Sequence, residues 1–481
     1  MFRFIFEVYQ PEEKPMKDLL CEDTIAAIGT PIGKGAIGVV RISGKEALRI
    51  LKEMFRTKKG RVKEEFEERK MHYGFVVDRF GEPIDEVLTV YMKGPRSFTG
   101  EDVVEIHSHG GIVVVRKILR EVLGRGARLA EPGEFTMRAF LNGRIDLTQA
   151  EAINELIEAK SELSAKVALK QLEGALSKKI REIRDFILET RAYVEAAVDF
   201  PEEEVEIIER GKVKERLIEA VNRIEELLKT YREGRLIREG IKVAIVGRPN
   251  VGKSSLLNAL LQEERAIVTE IPGTTRDVIE ETVTFRGLPL RLIDTAGIRE
   301  AEDRVEKIGI ERSLKKLKEA DVILFLIDGS EGFTDKDREI LGQIENREKV
   351  ILVVNKKDLG LKFTCEDAES SGIKRCVEIS AKRGEGIEKL SELITELVML
   401  EPEAVIGGDE VVITSERHRE LLERAKESLL RAIKTLESGI ESPEFLSMDI
   451  EDALKFLGEI VGEVTTEDMY DIIFSRFCIG K

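Results

Sequence analysis

Apolar and polar positions fall into three textures along the chain. From Thr24 to about Asp146, short apolar runs are punctuated by glycine: Ile25-Ala26-Ala27-Ile28, Gly38-Val39-Val40-Arg41-Ile42 and Glu86-Val87-Leu88-Thr89-Val90-Tyr91. A helix-like stretch from Val114 to Leu123 lies among them, and the mixture predicts an α/β domain. From Leu147 to about Arg238 the period lengthens. Apolar residues recur three and four apart (Ala150, Ile153, Ile157, then Leu169, Leu172, Leu176) with charged residues between, the signature of amphipathic helices. Pro201 predicts a break, and one helix is predicted from Lys212 to Leu236, closed by Gly240. Strands and helices alternate over 241–400. Helical periodicity returns from Ser415, with a break at Pro443.

The simplest architecture is a helical domain interrupted by a complete α/β domain, since a domain's termini usually lie close together. The predicted fold is multidomain α/β plus α, with an extension (1–22), an α/β domain (23–146), a helical part (147–238), an inserted α/β domain (239–400) and a second helical part (401–481). A length of 481 residues fits two to four domains, at roughly 100–200 residues each. The opening Met1-Phe2-Arg3-Phe4-Ile5-Phe6 is apolar, but acidic residues and Pro11 interrupt it and no small-residue cleavage site follows. It reads as a poorly ordered extension, with Met16 an alternative start. No run reaches the ~18 apolar residues of a membrane span, so no membrane is expected.

Lys+Arg 77 against Asp+Glu 93 gives a net charge of −16. That balance argues against a non-specific nucleic-acid coat, which needs a basic surface to release counterions, and leaves room for a local basic site for one RNA. The four cysteines, Cys21, Cys365, Cys376 and Cys478, follow no metal-ligand spacing and no disulfide-dense pattern. A reducing, cytoplasmic setting is expected, with Cys21, Cys365 and Cys376 incidental.

Candidate chemistry concentrates in 241–400. The apolar run Lys242-Val243-Ala244-Ile245-Val246 leads into Gly247-Arg248-Pro249-Asn250-Val251-Gly252-Lys253-Ser254 and a helix from about Ser255. This is a phosphate loop in its strand–loop–helix context. Glycines let backbone N–H groups close around phosphates and the helix N-terminus adds a favourable dipole; Lys253 serves the β and γ phosphates and Ser254 ligates Mg²⁺. Three further motifs follow in order. Asp294-Thr295-Ala296-Gly297 ends a strand with an acidic residue near the metal and a glycine for the γ-phosphate. Asn355-Lys356-Lys357-Asp358 carries a carboxylate that accepts from guanine N1–H and the 2-amino group, donors that adenine lacks there. Ser380-Ala381-Lys382 offers backbone contacts to the base oxygen. The nucleotide is therefore GTP. Gly273-Thr274-Thr275-Arg276-Asp277 supplies the earlier switch, with Thr275 a second Mg²⁺ ligand. Ile298 follows Gly297, where a water-positioning Gln is common. Another group must orient the water, and Glu300, Glu302, Asp303 and Glu306 lie just beyond.

The whole chain from about Asp23 resembles the MnmE (TrmE) family of tRNA-modification GTPases. The resemblance is carried by Arg41-Ile42-Ser43-Gly44, Ser97-Phe98-Thr99-Gly100-Glu101-Asp102 and His109-Gly110-Gly111. It continues in Pro132-Gly133-Glu134-Phe135, Arg138-Ala139-Phe140-Leu141-Asn142-Gly143-Arg144 and the terminal Cys478-Ile479-Gly480-Lys481. It implies an N-terminal tetrahydrofolate-binding domain that also makes a homodimer, and a central helical domain carrying an inserted Ras-like P-loop G domain. It further implies a flavoprotein partner, MnmG, in a heterotetramer, and addition of an aminomethyl or carboxymethylaminomethyl group at C5 of the wobble uridine of certain tRNAs, from 5-formyl- or methylene-tetrahydrofolate. Folate contacts carry over to Arg41, Glu105, Arg144 and Lys481; Arg144 stands where other members have Lys, which keeps the charge and changes the donor geometry. The resemblance also implies K⁺ in place of an arginine finger, held by Asn250, Thr269, Ile271 and Thr274. Thr269-Glu270-Ile271-Pro272 joins the GTP contacts, with Ser255, and Glu306 orients the water.

Cys478 follows an apolar stretch with Ile472, Ile473 and Phe477, near Arg476 and Lys481. A catalytic role in tRNA modification is expected, whether as nucleophile or structural participant. His107 and His109 alternate without an apparent third ligand and read as packing or hydrogen-bonding residues. A different class of function, a ribosome-assembly or regulatory GTPase switch, would share the G motifs but leaves the folate-type half and the Cys478 tail without a purpose.

Overall fold

Glycine-punctuated apolar runs become strands because β-branched residues on alternating positions pack one face of a pleated sheet. A computed structural model of the chain describes residues 23–199, 210–263, 281–285, 288–293, 317–398, 411–438, 443–464, 467–475 and 477–481. The chain divides into two compact units, Met1–Asn154 with Gly458–Lys481, and Glu155–Leu457. The 1–22 extension and Pro201 lie outside the described residues.

The first unit holds β1 (Ile25–Ile28), β2 (Ile37–Ser43), β3 (Phe55–Arg56), β4 (His72–Val77), β5 (Pro83–Met92), β6 (Val103–His109) and β7 (Arg128–Leu129), in the order β3-β4-β5-β6-β2-β1-β7. Neighbours are antiparallel except β1 and β7. Val40, Ile42, Val104 and Ile106 face the helices Ala47–Met54 and Ile112–Leu123 in a buried core. Side chains alternate faces along a strand, so Arg41 and Glu105, opposite one another in the β2–β6 register, share the other face. Phe135, on the helix Glu134–Leu141, packs against Ile25, Ala27 and Ala130.

A buried cation is tolerated only when paired, and Arg138 of that helix meets the condition. Its guanidinium lies 2.7 Å from Asp23, 2.9 Å from Glu134 and 3.3 Å from Glu101, while Arg128 holds Glu134 at 2.6 Å. The chain's last residues complete this unit. Ile479 pairs with Pro132, Phe135 N–H donates to the Lys481 carbonyl at 3.2 Å, and Arg41 Nη1 donates to the Gly480 carbonyl at 3.3 Å. Gly480 has φ +97, and a Cβ there would sit 2.4 Å from the Ile28 carbonyl oxygen; only glycine lets the tail lie so close.

The second unit holds β8 (Ile241–Val246), β9 (Glu281–Phe285), β10 (Leu288–Ile293), β11 (Val322–Asp328), β12 (Val350–Asn355) and β13 (Arg375–Glu378), in the order β13-β12-β11-β8-β10-β9. All pairings are parallel except β9 with β10. The central strands β11 and β12 are buried at every residue, as a parallel sheet covered on both faces requires. The helix Arg210–Lys229 packs on the helix Glu416–Ser438, so segments before and after the sheet meet.

Two expectations change. The single helix predicted over Lys212 to Leu236 is two, Arg210–Lys229 and Tyr231–Glu239. Thr230 sits between them, its hydroxyl donating to the Leu227 carbonyl at 2.7 Å and accepting from Ile413 N–H at 3.1 Å. A hydroxyl competing for backbone groups is a local break that periodicity does not report. Cys365 and Cys376, expected as incidental thiols, form a disulfide with Cα atoms 5.5 Å apart. A separation of 11 residues gave no framework pattern, because the 3₁₀ helix Cys365–Ser371 and β13 bring the two together only in three dimensions.

Gly234, on the helix Tyr231–Glu239, lies where a Cβ would be 2.2 Å from the Ile413 carbonyl oxygen. Helix propensity alone would make alanine stabilising by up to about 1 kcal/mol. The backbone clash reverses the sign, and Gly234→Ala is expected to destabilise by ~1–3 kcal/mol, read as a lower urea midpoint for the full chain. A raised midpoint would show that the close contact does not exist.

Candidate functional site

Strands β8, β11, β12 and β13 run parallel, so the loops at their C-terminal ends gather at one edge, where open α/β sheets bind ligands. The phosphate loop leaves β8 and enters the helix Lys253–Glu263. Gly247 has φ +157 and Gly252 φ +103; a Cβ at either would come within 2.2 Å of Leu326 O or Asn355 Nδ2 respectively. Asn250 takes the left-handed conformation, φ +65, a geometry that asparagine tolerates better than most residues. Lys253 Nζ donates to the Gly247 and Arg248 carbonyls at 2.5 and 2.7 Å, so the cation folds over the ring of its own loop. Ser254 and Ser255, exposed, open the helix. Arg248 is tied away from the ring by Asp337 at 2.8 Å and Glu331 at 3.2 Å.

Asn355 joins the phosphate and base ends of the site. Its Nδ2 donates to the Val251 carbonyl at 2.8 Å and its Oδ1 accepts from Ala381 N–H at 3.0 Å. One buried amide thus links the phosphate loop, the end of β12 and the segment after β13. Asp358 accepts from Ser380 Oγ at 2.7 Å, and that bond holds its carboxyl below the usual carboxylate range, leaving it an acceptor at neutral pH. Lys356, also left-handed at φ +64, reaches Asp328 at the end of β11 at 2.6 Å. Burial works to raise the Asp328 carboxyl, but Lys356 and Ser330 hold it low. Asp328 was not foreseen from the sequence; its only signal was an acidic residue ending an apolar strand. Thr269, Glu270, Ile271, Pro272, Gly273, Thr274, Thr275, Asp294, Thr295, Ala296, Gly297 and Glu306 lie outside the described residues.

The cradle fits a nucleotide. Its glycines leave room that any Cβ would fill, Lys253 supplies a cation, and Asp358 and the Ser380-Ala381-Lys382 backbone sit across Asn355 from the loop. Bound Mg²⁺ would be held by Ser254 and would neutralise phosphate charge.

A second cluster forms in the first unit. Arg41 Nη2 lies 2.9 Å from Glu105 Oε1, and His107 Nε2 donates to Glu105 Oε2 at 3.3 Å. The His107 bond, then Arg41, keep the Glu105 carboxyl low. The Arg41 guanidinium lies over Phe98 at 5.5 Å and Phe135 at 5.7 Å. Burial, and then Arg41, lower Lys481 from the usual lysine range, and Cys478 is an exposed free thiol in the same tail. The structure thus brings Arg41, Glu105 and Lys481 together with His107, whose bond to Glu105 is the hydrogen-bonding role expected of it. Arg144 falls in a different set, lining a cavity of about 620 Å³ with Arg69 and Arg96. His109 pairs with Asp85 at 2.8 Å. Among the described residues no His, Cys, Asp or Glu group is arranged to hold a metal, and no helix is long and apolar enough to cross a membrane.

A family model described as the MnmE helical domain matches residues 147–478, and one described as the GTP-binding protein TrmE N-terminus matches 24–144. The chain belongs to the MnmE (TrmE) family. It is 50% identical over 459 residues to the tRNA modification GTPase MnmE of Aquifex aeolicus, covering 95% of this chain and 100% of that one. It is 47% identical over 467 residues to the tRNA modification GTPase MnmE of Clostridioides difficile, covering 96% and 100%. The solved G domain of the T. maritima FeoB iron transporter aligns with 33% of this chain and 99% of that one, at 33% identity and a TM-score of 0.27. The reading of the MnmE-type nucleotide site rests on its loops and not on that likeness.

Gly252→Ala would push a Cβ to 2.2 Å from Asn355 Nδ2 and strain φ. Affinity for both GTP and GDP is expected to fall by at least about tenfold, equivalent to ~1.4 kcal/mol. Titration with a fluorescent guanine nucleotide checks this, and an unchanged dissociation constant would remove Asn355 as the link between the two loops.

Proposed function

We propose that this chain is a GTP-hydrolysing tRNA modification enzyme. With a flavoprotein partner, MnmG, it adds an aminomethyl or carboxymethylaminomethyl group at C5 of the wobble uridine of certain tRNAs, using a folate one-carbon unit. The observation that carries the reading is the coexistence of two separate sites. One is a guanine-nucleotide cradle organised by Asn355, and the other is a cluster of Arg41, Glu105 and Lys481 built from a sheet and the Cys478 tail. A stand-alone GTPase switch has no use for the second.

In this reading the Lys253 ammonium and the loop N–H groups bind and orient the triphosphate, and Asp358 selects guanine. Glu306 orients the attacking water. Ser254 and Thr275 ligate Mg²⁺, and K⁺ is held by Asn250, Thr269, Ile271 and Thr274; the reading is supported by a left-handed turn of the loop at Asn250. Glu105 accepts from pterin N–H groups while Arg41, Arg144 and Lys481 serve anionic parts of folate. Residues 239–400 act as a G domain inserted between helical parts 147–238 and 401–481, residues 23–146 bind folate and form the homodimer, and the enzyme works in the cytoplasm.

GTP turnover is expected to require K⁺ and to fall by at least about tenfold when Na⁺ replaces it at matched ionic strength. Equal phosphate release in both salts would count against the cation assignment. The decisive test pairs two measurements on Cys478→Ser. A thiol-to-hydroxyl change alters little volume but removes the nucleophile available at neutral pH. Phosphate release by the purified variant should stay within about twofold of the parent, while nucleoside analysis of tRNA from cells carrying only the variant should show the wobble modification lost. Persistent modification would make Cys478 incidental; a parallel loss of hydrolysis would contradict two separate sites.

A further inference from the structure

The cavity of about 620 Å³ in the first unit has three arginines in its wall, Arg69, Arg96 and Arg144, together with Pro95, Gly100 and Asn142. Arg96 and Arg144 have no carboxylate partner among the described residues. Arg69 meets Glu68 only at 3.6 Å, with both side chains about half exposed, a pairing of little strength. Its Nη2 also donates to the Arg96 carbonyl, which holds the first guanidinium against the backbone of the second. Arg69 adopts φ +58, a conformation costly for an arginine and here kept by its N–H bond to the Tyr91 carbonyl at 2.7 Å.

The floor is firmly built. Asn142 Nδ2 donates to the Thr99 carbonyl at 2.7 Å, and Gly100, at φ +80, approaches Asn142 so closely that a Cβ would lie 3.0 Å from it. Two sequence motifs, Ser97 to Asp102 and Arg138 to Arg144, therefore converge here. The loop from Pro95 to Gly100 also reaches the other cluster, because Phe98 lies under the Arg41 guanidinium at 5.5 Å. One short loop thus connects the Arg41–Glu105 cluster to a concavity of guanidiniums, of which only Arg69 meets a carboxylate, weakly.

Guanidinium forks seek carboxylates or phosphates, and the volume is that of a small-molecule pocket. The inference rests on the folate reading above. Phe98 ties the Arg41–Glu105 cluster to this loop, and a folate whose pterin sits at Glu105 ends in a glutamate with two carboxylates, one more anion than Arg41 and Lys481 alone would serve. Three arginines exceed what one glutamate uses. We propose that the cavity binds the γ-linked oligoglutamate tail, so that the chain selects polyglutamylated over monoglutamyl folates, with Arg69 and Arg96 as the specificity-determining residues.

The test titrates the full-length protein with monoglutamyl and pentaglutamyl 5-formyl-tetrahydrofolate by calorimetry. The longer form is expected to bind at least about tenfold tighter near 50 mM salt, an advantage that shrinks near 500 mM as screening grows. Arg96→Ser, or Arg69→Asn with a side chain that tolerates the left-handed backbone, should cut the advantage by about threefold or more. If a variant does not fold, the salt dependence of the unaltered protein decides. Equal affinity for the two forms, with the monoglutamyl form measurably bound, overturns the proposal and leaves the folate reading standing. No binding of either form overturns both. Substitutions that weaken binding of a tRNA while leaving the glutamyl advantage intact assign the cavity to RNA phosphates and also overturn it.

Discussion

A backbone pairing between Ile479 and Pro132 joins regions of the polypeptide almost 350 positions apart, and the rest of the architecture answers to it. Because the last two dozen residues belong to the same compact unit as the first 154, everything between them must leave and return. The pairing also fixes chemistry. With Gly480 pressed on Ile28 and its carbonyl held by Arg41, the main chain of the terminal lysine is fixed beside the Arg41–Glu105 pair.

The nucleotide site shows the same economy in a different form. Three loops from three strands are held by one amide, Asn355, whose donor and acceptor ends are both used. A buried polar group with both ends satisfied specifies a unique arrangement, and the same group half-satisfied would be costly. Gly252 is the space that allows it, so the glycine serves the base end of the site as much as the phosphate end.

Much of this was legible in sequence because phosphate and guanine recognition is contiguous chemistry. A strand, a glycine loop and a helix must follow one another, and Asn355, Asp358 and Ser380 sit at the ends of apolar runs that announce themselves. What was not legible depends on residues meeting across the fold. Glu105 takes its ion pair from Arg41, 64 residues away. Phe98 and Phe135 bracket Arg41 from a loop and a helix, and Asp328 finds Lys356 through the β11–β12 register. The Cys365–Cys376 bond and the helix break at Thr230 belong to the same class. Each is a local residue whose role is set by a distant one, and periodicity carries no information about such pairs.

The self-capping of Lys253 has a consequence for the traffic of nucleotides. Its ammonium already holds two loop carbonyls, so an arriving phosphate exchanges with contacts that exist instead of adding to none. The gain in free energy is a difference between two sets of charge-assisted bonds and is smaller than the charge alone implies. The two carbonyls thus temper the hold of the ammonium on phosphate while keeping the loop ordered.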